Sequence, residues 1–310
     1  MSGLGMLLPG QGAQVVGMGR AFYDHVPESR AIYQRANKHL GFDVAALCFE
    51  GPAEELTKTE RCQPALFVTS MAAHAAFTVA MPNVKPVAAA GLSLGEVTAL
   101  AVAEAFTLSD ALYLVQARAN AMADCAARHP GAMLAVIGLP RETIDEICRN
   151  AEVVGANFNA ADQVVLSGAV PGIAKAEDLA KAAGAKRAVR LDVAGAFHSP
   201  LMQDGANQFK KALEQVSIAA PRFPVISNVT AQPVTEPSVI RDLLVKQIVS
   251  PVLWEPSMQW LARHGVTLTC EFPPARVLTA LLRRITPAIK GIAIDEPADF
   301  EQLGMPVTPH

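Results

Sequence analysis

At 310 residues the chain can bury a sizeable core, and its length suits two domains or one domain carrying an insertion. The formal charge is −3 with basic residues scattered along the chain, which argues against a nucleic-acid partner. Five widely spaced cysteines without a Cys-x-x-Cys pair point to reduced thiols of a cytoplasmic protein, and neither an export signal nor a membrane-spanning run is expected.

Met6-Leu7-Leu8 reads as a strand running into the loop Pro9-Gly10-Gln11-Gly12-Ala13-Gln14, the start of an α/β unit with its functional loop after the strand. A dinucleotide site would need a third glycine in register and a later acidic residue at a strand end, which Gly-Gln-Gly-Ala-Gln-Val does not supply. Helical periodicity follows over residues 29–39 and 64–77. Val87-Ala88-Ala89-Ala90 is a candidate buried strand, and residues 96–103 have helix-forming composition. Between them, Gly91-Leu92-Ser93-Leu94-Gly95 has the G-x-S-x-G pattern of a nucleophile elbow, a sharp strand-to-helix turn that holds a serine hydroxyl clear of the backbone. The same five residues could also be a glycine-punctuated turn with an incidental serine, so the choice rests on their surroundings. Arg118 stands in an otherwise apolar and small-residue helix, 111–122. At a surface it would snorkel; buried and facing the elbow it would bind a carboxylate bidentately.

The middle of the chain predicts strands at 132–137, 153–158, 163–167 and 187–193, with helices at 141–150 and 173–183. That β-α-β-β-α-β order is ferredoxin-like. Residues 128–196 would thus form a small subdomain inserted in a large α/β body made of 1–127 and 197–310. The body resumes with strand candidates at 224–227 and 266–269 and helices at 238–249 and 275–285, and Pro306-Val307-Thr308-Pro309 reads as a loose tail.

A serine nucleophile needs a base within hydrogen-bond reach. Of seven histidines, His74 sits in an apolar helix, His25, His39, His129 and His264 lie among polar helix-end residues, and His310 is terminal. His198 differs: Gly195-Ala196-Phe197-His198-Ser199-Pro200 is a small-residue loop where the inserted module returns to the body, and it is the candidate base. The Leu94 amide, at a helix N-terminus, is a first oxyanion donor. A second could come from Gly10-Gln11-Gly12 if its strand neighbours the elbow strand. No His-Glu-x-x-His, cysteine cluster or paired carboxylate appears at ligand spacing, so no metal is expected.

Taken together with Gly51-Pro52-Ala53-Glu54-Glu55-Leu56, Gln63-Pro64-Ala65-Leu66, Ser227-Asn228-Val229 and Val277-Leu278-Thr279, these blocks resemble, in order and over nearly the whole chain, the malonyl-coenzyme A:acyl carrier protein transacylase family. The resemblance implies an α/β-hydrolase-like large subdomain with a parallel sheet and a ferredoxin-like small one. It implies that Ser93 is acylated by malonyl-coenzyme A and passes the malonyl group to the pantetheine thiol of an acyl carrier protein, with His198 as base and then acid. Gln11 would contribute its backbone amide to the oxyanion hole beside Leu94. Arg118 would pair with the malonyl carboxylate, and Asn228 would line the site in a supporting role. A backbone carbonyl in Lys246-Gln247-Ile248, taken as that of Gln247, would orient His198. Phe197 would fill the space a substrate α-methyl needs. Malonyl-coenzyme A is then a substrate, and no cofactor is implied.

Two departures stand out. Leu92 precedes the serine where family members commonly have histidine, and Glu271-Phe272-Pro273-Pro274-Ala275-Arg276 replaces the usual glycine-proline-glycine turn. The pathway, fatty acid or polyketide synthesis, stays open. So do two rival readings: an acyl hydrolase that clears carrier proteins, and a non-catalytic carrier-protein docking subunit.

Overall fold

In the computed structural model, which describes residues 3–306, the apolar runs become the strands of two sheets. The tail read at the C-terminus lies outside the described residues from position 307 on. The strands are β1 (Gly3–Leu8), β2 (Ala88–Gly91), β3 (Gly131–Ile137), β4 (Val154–Ala160), β5 (Gln163–Ala169), β6 (Arg187–Arg190), β7 (Val225–Ile226), β8 (Pro233–Val234), β9 (Val266–Glu271) and β10 (Lys290–Ala293).

The large sheet has the order β10-β9-β1-β2-β7-β8 and is parallel except for the β7–β8 pair. Helices cover both of its faces, which is why β1 and β2 read as continuous apolar runs. Alternate residues still go to opposite sides. Met6, Leu8 and Ala89 join a core with Phe67 and Leu100, whereas Leu7, Ala88 and Ala90 pack with Trp254, Leu278 and Leu282. Helical periodicity in the sequence placed a helix at 64–77. The helix instead spans Thr59–Ala80 with Pro64 inside it. Pro64 cannot donate to the Glu60 carbonyl, and Gln116 Nε2 from the Leu108–Arg128 helix donates to that oxygen instead, at 3.3 Å.

The small sheet is antiparallel with the order β4-β5-β3-β6. Two helices, Arg141–Ala151 and Val170–Ala182, pack Ile144, Ile147, Ile173 and Ala176 against Leu134, Val136 and Leu166. The opposite face turns Met133 and Val165 toward the large body. This unit runs from Gly131 to Arg190, and Arg128 still belongs to a helix of the large body. Two backbone bonds stitch the units together: Val252 N to Ala156 O at 2.8 Å and Phe158 N to Val252 O at 2.9 Å. The expected strand 187–193 ends at Arg190; Leu191 N still donates to Met133 O of β3 at 3.0 Å, and Leu191 and Val193 line the cleft between the units. The helices Gln203–Leu213 and Trp254–Arg263 and the strand β10 have no counterpart in the sequence reading.

Candidate active site

β1 and β2 are neighbours, with Leu8 opposite Gly91, so the loop after one and the elbow after the other leave the sheet side by side at its carboxyl edge. The packing there tolerates no Cβ. One on Gly91 would lie 1.9 Å from Gly95 C and O, and one on Gly95 would lie 2.1 Å from Leu8 O. The elbow reading of the motif is the one the geometry matches: Ser93 has φ 56° and ψ −105° between β2 and the Leu94–Val102 helix. Holding a non-glycine residue there costs about 1–3 kcal/mol, which the surrounding bonds must offset.

Asn228 supplies much of that restraint. Its Oδ1 accepts from Ser93 N and its Nδ2 donates to Gly91 O, both at 2.7 Å, and the residue is 1% exposed. This corrects the sequence expectation that Asn228 lines the substrate site. The residue lies behind the elbow, with both ends of its amide committed to the elbow backbone.

His198, in the loop after β6, has φ 58°. Its Nδ1–H donates to Gln247 O at 2.8 Å, which leaves Nε2 as the acceptor for Ser93 Oγ, also at 2.8 Å. Burial, and then the Arg118 charge, lower its pKa to about 4, so the imidazole is neutral at neutral pH. No acidic third member contacts the ring among the described residues; a backbone carbonyl takes that place.

Arg118 is fully buried on the Leu108–Arg128 helix. Its Nη1 donates to Gln63 Oε1 at 2.7 Å, and its Nη2 donates to Gln247 Oε1 at 2.8 Å and to Ser93 Oγ at 3.1 Å. Nε has no partner among the described residues. Burial lowers its pKa to about 10, partly offset by the negative charge of Glu96, and the guanidinium stays charged.

Sequence reasoning gave Gln63 and Glu96 no role. Glu96 is 1% exposed, and its Oε2 accepts from Gln247 Nε2 at 2.5 Å and from Asn228 N at 3.1 Å. Burial pushes its pKa up to about 7, with hydrogen bonds from Gln247 and Asn228 pulling the other way. A signal was present: a lone carboxylate at the head of an apolar helix must find buried partners or stay uncharged.

These groups face a cleft of about 420 Å³ between the two units, lined by Gln11, Leu92, Ser93, Leu94, Phe197 and His198 among others. A Cβ on Gly10 would lie 2.2 Å from Leu92 O, which shows how tightly the first loop is held against the elbow. The Gln11 and Leu94 amides border the same cleft, and neither donates to another protein group among the described residues. Gln11 is anchored through its side chain, Nε2 to Thr59 Oγ1 at 3.2 Å. Leu92 leaves an apolar wall beside the serine.

In the altered turn the left-handed backbone falls on Arg276, at φ 92°, whose Nε donates to Asp295 Oδ2 at 3.0 Å. The turn leads into the Val277–Ile285 helix, which lines the cleft and is capped by buried Glu271, accepting from Leu278 N and Thr279 N at 2.8 and 2.7 Å. No cluster of three or more His, Cys, Asp or Glu at metal-holding geometry occurs among the described residues. Nor is any helix among them long and apolar enough to cross a membrane.

A serine made nucleophilic by a neutral histidine, free amides beside it and a buried cation in contact suit transfer of an acyl group that carries a negative charge. The model of the acyl transferase domain matches residues 6–293. A malonyl CoA-acyl carrier protein transacylase of Bacillus subtilis is 39% identical over 306 residues, covering 97% of this chain and 96% of that protein. The crystal structure of an acyl-carrier-protein S-malonyltransferase from Bartonella henselae superposes with a TM-score of 0.94 at 36% identity, over 98% of this chain and 100% of that one. A malonyl transacylase solved in complex with a type II polyketide synthase acyl carrier protein gives 0.94 at 35% identity, over 97% and 99%. By its fold, its elbow and its similarity along nearly its whole length, the chain belongs to the malonyl CoA-acyl carrier protein transacylase family of acyl transferases.

Proposed function

We propose that this protein moves a malonyl group from coenzyme A to the phosphopantetheine thiol of an acyl carrier protein through an ester on Ser93. The observation that carries the reading is the buried Arg118 guanidinium, 3.1 Å from Ser93 Oγ. A hydrolase for neutral acyl chains would bear the desolvation cost of that cation with nothing gained.

His198 Nε2 takes the proton of Ser93 Oγ as the oxygen attacks the thioester carbonyl, and the developing oxyanion faces the Leu94 and Gln11 amides. The C–S bond then breaks, and the imidazolium returns its proton to the departing coenzyme A sulfur. In the second half the carrier thiol gives its proton to His198 while its sulfur attacks the ester. The C–O bond breaks and the proton goes back to Ser93. Atoms and charge balance using protein groups and two thiols, so the scheme calls on no cofactor. The Arg118 charge that depresses His198 in the free protein is offset when a malonyl carboxylate docks against it, so the base strengthens when the matching donor is bound. Phe197 lines the cleft, which supports the reading that it fills the space a substrate α-methyl would need. The five unpaired cysteines fit the reducing cytoplasm in which such a protein would work.

The test is intact-mass measurement after mixing with malonyl-, methylmalonyl- or acetyl-coenzyme A, followed by addition of carrier protein. A lasting malonyl adduct that is absent from Ser93→Ala and moves to the carrier is the expected result. Rapid release as free acid would make the protein a hydrolase. No adduct from any donor, with carrier binding retained, would leave a docking subunit. Carriers of fatty acid and of polyketide synthesis, tried side by side, assign the pathway.

A further inference from the structure

Glu96 takes no part in the transfer steps, yet it is an ionisable group buried directly beneath the nucleophile. Its partner Gln247 is surrounded in a way that permits only one orientation of the side-chain amide. Gln247 Oε1 accepts from the Arg118 guanidinium at 2.8 Å. Its Nε2 donates to Glu96 Oε2 at 2.5 Å and to Ser93 O at 3.0 Å. Flipping the amide would set its NH2 against a cation and its oxygen against a carboxylate and a carbonyl. The amide therefore works as a dipole strung between a buried anion and a buried cation, and the same residue orients His198 through its main-chain oxygen.

We propose that Glu96 is a positioning residue for donor choice: its carboxylate locks the Gln247 carboxamide with oxygen toward Arg118, which aims the guanidinium at a substrate carboxylate. The charged or titratable groups that face it are Arg118, from the Leu108–Arg128 helix, and, beyond the Gln247 main chain, His198. The Pro237–Gln247 helix and the loop after β7 contribute neutral groups, the side chains of Gln247 and Ser227 and the main-chain N–H of Asn228. Without a carboxylate at 96 the strongest acceptor holding the Gln247 NH2 is gone and the amide orientation is less firmly fixed; in the flipped orientation Arg118 faces a donor and loses its bond. A substrate lacking the carboxylate does not use that aim, so the effect belongs to malonyl over acetyl loading. The inference rests on the malonyl reading above.

The first measurement needs no variant. Single-turnover loading of malonyl and acetyl groups is followed over about pH 5.5 to 8.5, where a substrate carboxylate stays ionised. The pKa of His198 lies near 4 in the free protein, below this window, and any strengthening by bound malonyl acts in Glu96→Gln as well, so only the pH dependence that this variant loses belongs to Glu96. As Glu96 gains its proton below about pH 7, the malonyl-to-acetyl ratio should fall about tenfold or more, the scale of a lost hydrogen bond to a charged group. Glu96→Gln should show that low ratio at every pH. A ratio flat with pH in the unaltered protein overturns the proposal, whether or not the variant folds. So does a folded Glu96→Gln protein that keeps the original ratio and profile, or that loses both donors equally. A protein that loads no donor at all fails the malonyl reading instead, which separates the two failures.

Discussion

Replacing Arg118 with alanine removes a fully buried guanidinium and strips three side-chain acceptors, Gln63 Oε1, Gln247 Oε1 and Ser93 Oγ, of their charged donor. Each acceptor left unpaired costs about 1–3 kcal/mol, but that loss is the same for every donor. The malonyl-specific part is the buried contact between guanidinium and carboxylate. Truncating one side of such a pair costs about 2–5 kcal/mol, or roughly 30- to 5000-fold in malonyl loading relative to acetyl loading. Rapid-quench intact-mass kinetics of the Ser93 ester with both donors gives the ratio, and a thermal melt reports the shared stability loss. A second signature is expected. With the nearby cation gone, His198 regains basicity, so the acidic limb of acetyl loading moves upward from about pH 4. Equal losses for malonyl and acetyl, with no movement of that limb, would refute the assignment and make Arg118 a packing residue.

Gly10→Ala places a methyl 2.2 Å from Leu92 O and must push the first loop off the elbow. If the Gln11 amide is an oxyanion donor, loading should fall by about 10²–10³ for malonyl and acetyl alike, and a normal rate would remove that loop from the mechanism. Phe197→Ser opens the cleft wall beside His198 and should raise methylmalonyl loading relative to malonyl by about tenfold, the worth of accommodating one methyl; no gain in competition assays would move the selectivity elsewhere. Glu96 has a folded pKa near 7 against an ordinary 4.5, so it contributes stability below pH 4.5 that is lost as pH rises through 7. The melting temperature of the unaltered protein minus that of Glu96→Gln should therefore shrink between about pH 4.5 and 7.5, on the order of 3 kcal/mol in stability at most. A difference that stays constant or grows would mean the carboxylate is ionised throughout.

Legibility followed distance along the chain. The elbow, its flanking strand and helix, and the β-α-β-β-α-β order could be read because turn chemistry and hydrophobic period act over a few residues. His198 stood out because small residues mark an interdomain loop. Boundaries set by tertiary partners went astray: the helix around Pro64 starts at Thr59 because a glutamine from another helix satisfies the carbonyl that proline cannot. Asn228 matched the family pattern but not the role expected of it, since a residue's neighbours, not its motif, decide whether an amide faces substrate or backbone.

By itself the sequence determined where the nucleophile sits, in Gly91-Leu92-Ser93-Leu94-Gly95, and that Arg118 and His198 were unusual for their settings. Only the tertiary structure decided that they meet. Placing β1 and β7 on either side of β2 puts the Gln11 loop and Asn228 against the elbow, and the Pro237–Gln247 helix reaches it from 154 positions further along the chain. Contacts of that separation depend on strand order and burial, which leave no periodic trace in sequence. Glu96 shows the limit most clearly. As a letter it only interrupts an apolar stretch; in the folded protein it is the buried charge against which Arg118 and Gln247 are set.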